Sequence, residues 1–123
     1  FTVGIDFTAR DVQAELKSKG LPWEKSKGFD QSAVLGEFLS TSDYDLTNLN
    51  FQLKKNGELV QDGNTSLMLH PIAQIIEHTS KYFTLKIGDI IFTGTPEGVG
   101  PVSGGDVLEG YIEGKKVLHV KVK

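Results

Sequence analysis

Hydrophobic positions along the chain come in short bursts punctuated by glycine, a distribution that suggests many strands joined by turns. Residues 2–6 read as a buried strand ending at Asp6. Residues 33–39 (AVLGEFL) form another apolar run, and Leu49, Phe51 and Leu53 alternate within 48–55 (NLNFQLKK). Asn56-Gly57 follows, then a short strand from Glu58 to Gln61. Asn-Gly between two such runs predicts a type I′ hairpin, because both central residues of that turn need positive φ. The last third adds strands over Asp89 to Thr93, Val107 to Glu113 and Lys116 to Val122, with Glu113-Gly114-Lys115 as a tight turn between the final two.

Two segments change period. Thr8 with Asp11 three residues on resembles a capping box, Ala9, Val12 and Leu16 follow at helical spacing, and Gly20 with Pro22 makes the stop. A helix is predicted from about 9 to 19. Pro71 opens a second helix with Ile72, Ile75, Ile76, Thr79 and Phe83 on one stripe, which is most simply core packing. Six or seven mostly consecutive strands with two short helices predict an α+β fold, mostly β, with an antiparallel or mixed sheet.

Composition narrows the possibilities. The chain's 123 residues fit one domain, expected to bury roughly two-thirds of its extended surface. It has no cysteine, which excludes a disulfide scaffold, a thiolate nucleophile and thiolate zinc sites. A formal charge of −3 offers no basic field for nucleic acid or anionic lipid, so neither is an expected partner. The longest apolar runs, around Ile75-Ile76 and Ile90-Ile91-Phe92, fall far short of the roughly twenty residues that span a bilayer. A cytoplasmic location is expected, with a mitochondrial one as the alternative. Phe1 enters an apolar strand directly, unlike the usual polar, frayed terminus, which points to a missing amino-terminal part of the fold.

Three stretches could carry chemistry. In DFTARDVQ, a carboxylate at a strand end (Asp6) precedes a helix on which Arg10 and Gln13 are three apart, a set suited to a cation and an oxygen-rich anion. In TGTPEGVG, Thr93 to Gly100, glycines let backbone N–H groups approach an anion while the threonines add hydroxyl donors. It is no phosphate-loop fingerprint, since no lysine follows in register and no helical pattern opens behind it. In the third, Lys25-Ser26-Lys27-Gly28 follows Trp23, an aromatic anchor that could place a lysine as electrophile or base. Taken singly, these read more simply as a helix cap with a surface ion pair, a turn and a solvated lysine. His70, His78 and His119 are scattered without metal or triad spacing, and no role is assigned to them.

Taken together, DFTARDVQ, GLPWEKSKGFD, NGELVQDGNTSLM and FTLKIGDIIFTGTPEGVG, in this order over essentially the whole chain, resemble the fumarylacetoacetate hydrolase family and its small acylpyruvase-type members. The resemblance implies a mixed sheet or β-roll with two short helices, 1–123 being a single catalytic domain without its N-terminal segment. It implies that Asp6 matches an aspartate completing a three-carboxylate site for Mg²⁺ or Mn²⁺. Arg10 and Gln13 match polar residues around the substrate, Lys27 a lysine facing the developing enolate, and Thr95 a hydroxyl holding the substrate's carboxylate end. The implied activity is metal-dependent hydrolysis of acylpyruvate-like 2,4-dioxo acids, the cation acting as a Lewis acid on the enolate. Decarboxylation or tautomerisation of oxaloacetate fits the same site, and a non-catalytic module binding a small acid or a partner is the reading from another class. The implied partners are a small 2-oxo acid and a second copy of the chain. The family's Glu-x-Glu ligands and water-activating His/Glu pair precede the aspartate and have no place before Asp6, so residues 1–123 alone are not expected to catalyse.

Overall fold

The computed structural model describes residues 1–123, which divide into two units, Gly4–Leu35 and Phe1–Val3 with Gly36–Lys123.

In the smaller unit, β1 (Gly4–Asp6) pairs antiparallel with β2 (Ala33–Leu35), placing Asp6 opposite Ala33. Phe7 continues the ladder by donating its N–H to the Ser32 carbonyl at 2.7 Å. α1 (Arg10–Ser18) stops as expected at Gly20: with Gly20 at φ +64°, its N–H reaches the Lys17 carbonyl and the Leu21 N–H reaches that of Leu16. That pair of bonds is a Schellman motif, which satisfies carbonyls a helix end otherwise leaves open. A further helix, α2 (Glu24–Lys27), lies where the sequence pattern predicts none. At four residues it is too short to show a period, and it is fixed by tertiary contact instead. Ser26 is fully buried, donates its hydroxyl to the Trp23 carbonyl at 2.6 Å, and accepts the Ala9 N–H on its own carbonyl at 3.0 Å.

The larger unit is built on a four-stranded antiparallel sheet ordered β4-β3-β5-β6, from β3 (Asn50–Lys55), β4 (Glu58–Asn64), β5 (Val107–Ile112) and β6 (Lys115–Lys121). Both hairpins use the expected turns. Asn56 and Gly57 take φ +52° and +86°, and Glu113 and Gly114 take +46° and +77°. Asn56 also ties its turn to β5: its side-chain oxygen accepts the Val107 N–H, and its NH₂ donates to Asp106, both at 2.8 Å. Leu108 and Ile112 alternate into a small core with Leu49, Val117 and Leu118. Phe1, Val3, Leu39, Tyr44, Leu46 and Phe51 pack around it, the Phe1 ring meeting Tyr44 edge-on with centroids 5.3 Å apart. Residues 1–3 run beside 36–39 through bonds between Phe1 and Leu39 and between Val3 and Gly36.

Two expectations fail here. Residues 89–93 are not a strand, although an apolar run lies there: Ile90 and Phe92 are exposed, and the segment has no partner in either sheet. α3 (Ile72–Ser80) forms as predicted behind Pro71, but its apolar stripe is not core. No residue of α3 is buried, and Ile76 and Phe83 lie exposed.

Candidate active site

The smaller unit brings together two of the residues singled out from sequence. β1 ends at Asp6 and α2 ends at Lys27, and Lys27 Nζ donates to Asp6 Oδ2 at 2.5 Å. A third residue completes the group. Thr8 Oγ1 accepts from Lys27 Nζ at 2.8 Å and faces the Asp6 carbonyl at 3.4 Å. The expected capping role of Thr8 is therefore absent: the residue flanking α1 is Ala9, and no side chain caps the helix. The ammonium, not the helix end, has taken the hydroxyl.

Lys27 and Asp6 keep 36% and 46% of their side-chain surface exposed. Such a half-exposed pair contributes little to stability, but both groups stay open to a ligand. The main-chain bond from Ala9 to Ser26 joins the approach to α1 with α2, so Arg10 and Lys27 each lie one residue from it. On α1, Arg10 Nη1 donates to Gln13 Oε1 at 3.1 Å, a pairing one helical turn allows, rather than pairing with a carboxylate. The guanidinium thus keeps its full charge and most of its donors for an anion.

Thr95 belongs to the larger unit, in the 93–100 loop. Its hydroxyl accepts from Gln61 Nε2 at 2.9 Å, and the same NH₂ faces the carbonyls of Pro96 at 3.0 Å and Glu97 at 3.3 Å. An open cleft of about 460 Å³ runs beside this contact, lined by Leu59, Val60, Gln61, Asp62, Glu97 and Gly98. Sequence reasoning missed Gln61 and misread Thr8 for one reason: their partners lie 34 and 19 residues away, beyond any local pattern.

Asp6 is the one carboxylate of the expected cation site within these residues. No three His, Asp, Glu or Cys side chains converge to hold a metal, and one of the Asp6 oxygens is already taken by Lys27. The 123 residues do not by themselves fit a Mg²⁺ or Mn²⁺ cage, which takes about six oxygen ligands.

The family model describing the C-terminal part of fumarylacetoacetate (FAA) hydrolase matches residues 1–123. An oxaloacetate tautomerase from Escherichia coli is 45% identical over 116 residues, covering 93% of this chain and 53% of the relative. A mitochondrial oxaloacetate tautomerase from Bos taurus is 48% identical over 124 residues, covering 100% of this chain and 55% of the relative. Among solved structures, fumarylpyruvate hydrolase from Pseudomonas aeruginosa in complex with Mn²⁺ and pyruvate superposes with a TM-score of 0.91 at 37% identity, over 98% of this chain and 52% of that one. The chain spans about half the length of the curated relatives it matches. No helix is long and apolar enough to cross a membrane.

Proposed function

Since residues 1–123 belong to the fumarylacetoacetate hydrolase family, as its C-terminal part, we propose that the whole protein performs enolate chemistry on a small 2-oxo acid, with keto–enol tautomerisation of oxaloacetate as the first reading. The observation that carries it is Lys27, whose ammonium is held by Asp6 and Thr8 and still open to solvent. An enolate gathers negative charge on the oxygen of its former keto group. A fixed ammonium lowers the cost of that charge, and because it is positioned before the substrate arrives, little reorganisation is needed as the charge develops. Arg10 and Gln13 supply donors for the acid's carboxylates. In the larger unit, taken by itself, the Thr95 hydroxyl is proposed as a donor for a carboxylate.

Tautomerisation asks of these residues only that a proton leave the enol oxygen and another reach the neighbouring carbon while the enolate is held. The relatives at 45% and 48% identity favour this reading. Hydrolysis of acylpyruvate-like 2,4-dioxo acids is the second reading, favoured by the fumarylpyruvate hydrolase neighbour. Decarboxylation of oxaloacetate would use the same enolate. Asp6 is proposed as one ligand of Mg²⁺ or Mn²⁺, with the remaining ligands lying outside residues 1–123, and the working protein as a homodimer. A cytoplasmic or mitochondrial location suits a 2-oxo acid substrate.

The full-length protein, assayed with oxaloacetate and with acetylpyruvate, is expected to accelerate enol-to-keto conversion in the first and to release pyruvate from the second more slowly. Chelation of divalent cations is expected to remove both activities. Turnover unchanged by chelation would sink the role given to Asp6, and pyruvate released faster than ketonisation would put the second reading first.

A further inference from the structure

We propose that Gln61 is a positioning residue that turns the Thr95 hydroxyl into a directed donor for the carboxylate of the bound acid. The inference rests on the reading above for the identity of the ligand, but its geometry is independent of it.

β4 is an edge strand, so one side of it has no ladder partner. A bulge interrupts its pairing with β3. Leu53 pairs with Gln61 and Lys54 with Leu59, which leaves Val60 as the extra residue. Bulges re-aim the groups around them, and here two groups of the bulged strand meet the glycine loop. The backbone at Gly98, with φ +95°, lies so close to the Val60 carbonyl that a Cβ would sit 2.0 Å from its oxygen. The Gln61 amide spans Thr95, Pro96 and Glu97 from one nitrogen.

Two of those three acceptors are carbonyls, which can only accept, so the face of the amide toward the loop must be its NH₂. Thr95 is then left with a defined polarity. Its oxygen accepts a hydrogen bond from Gln61, and its own O–H has no acceptor within this unit. A hydroxyl whose lone pair is engaged by a donor directs its O–H outward and becomes a better donor itself. An anionic carboxylate is the partner that a lone O–H donor on a glycine-rich loop suits. The hydrogen bonds of the Gln61 amide all go to the loop, so its proposed action runs through Thr95.

The test compares Gln61→Met, Gln61→Glu, Thr95→Val and the double variant Gln61→Met/Thr95→Val in the full-length protein. The readouts are the Kd for pyruvate in the presence of Mn²⁺, KM and kcat with oxaloacetate, and amide hydrogen exchange over residues 94–98. Gln61→Met is expected to raise Kd and KM about tenfold while kcat stays within about twofold, the pattern of lost uniform binding. Exchange over 94–98 should accelerate, with an unchanged circular dichroism spectrum. Gln61→Glu should be worse, because a carboxylate at that place accepts the Thr95 proton instead of supplying one. Thr95→Val should match Gln61→Met, and the double variant should be no weaker than the weaker single, because both changes remove one interaction. An unchanged pyruvate Kd in Gln61→Met, or losses that multiply in the double variant, would overturn the proposal, as would wild-type protein that binds no pyruvate. Wild-type protein that binds pyruvate with the expected variant pattern yet turns over no 2-oxo acid would support Gln61 and refute the reaction proposed above.

Discussion

Lys27 has two partners of different character. Asp6 balances its charge, whereas Thr8 offers a neutral lone pair 2.8 Å away that fixes its direction. If Thr8 orients the ammonium, removing its hydroxyl while keeping its shape should slow the reaction without unfolding the protein. Thr8→Val is expected to lower kcat about tenfold with KM little changed, and Thr8→Ser to restore most of it. Steady-state kinetics on the two variants check this, and equal rates in both would remove Thr8 from the account. Little of this was legible in advance. The Thr8-Asp11 spacing is a sound local signature of a cap, but a lysine brought in from 19 residues away outcompetes the helix end for the same hydroxyl. Asp6, Arg10, Gln13, Lys27 and Thr95 could be named from the order of motifs, while Gln61 could not, because the hydrogen bonds that mark it exist only once the 93–100 loop lies on β4.

At the scale of elements, turns were the most legible feature. Asn56-Gly57 adopts the positive φ expected of it, and the tight turn expected at Glu113-Gly114 forms with positive φ as well, since turn chemistry is decided by the residues in the turn. Apolar runs were a poorer guide. They marked β3 and β5 correctly and 89–93 incorrectly, because a strand needs a partner that its own sequence does not supply. Two of the carboxylates held below their ordinary range lie in or beside the sheet. Asp106 is held below the ordinary carboxylate range chiefly by the Asn56 side chain, then by the Ser103 N–H and Lys55. Glu109 is lowered chiefly by Lys116, whose own value Glu109 raises. Lowered carboxylates stabilise the folded sheet above their unfolded values, and that stability is lost as pH falls through the folded ones. The raised lysine contributes below its unfolded value and loses its contribution only as pH climbs through the higher folded one. The midpoint of thermal unfolding is therefore expected to be nearly flat around neutrality and to drop below about pH 4. A midpoint that rises as the solution is acidified from pH 5 to 3 would contradict these pairings.

For the whole molecule the telling quantity is surface. The chain exposes 8773 Å², whereas a compact monomer of 13.5 kDa exposes roughly 6,500 Å². The expectation that two-thirds of the extended surface would be buried is not met, and the large apolar side chains of Leu67, Leu69, Tyr82, Phe83 and Ile87 are among those exposed. Surfaces of this kind normally meet another surface. Residues 1–123 produced alone are accordingly expected to bind an apolar dye such as anilinonaphthalene sulfonate and to aggregate, and the full-length protein to bind none at equal concentration and to go no further than the proposed homodimer. A 123-residue fragment that is monomeric and dye-silent would contradict that view. The central claim, that Lys27 stabilises an enolate, is tested most directly by the rate of oxaloacetate enol-to-keto conversion in full-length wild-type protein and in Lys27→Met, with folding matched by circular dichroism. The account predicts catalysis by the wild type and a loss of at least about a thousandfold in the variant; a Lys27→Met protein that ketonises oxaloacetate at the wild-type rate would contradict it.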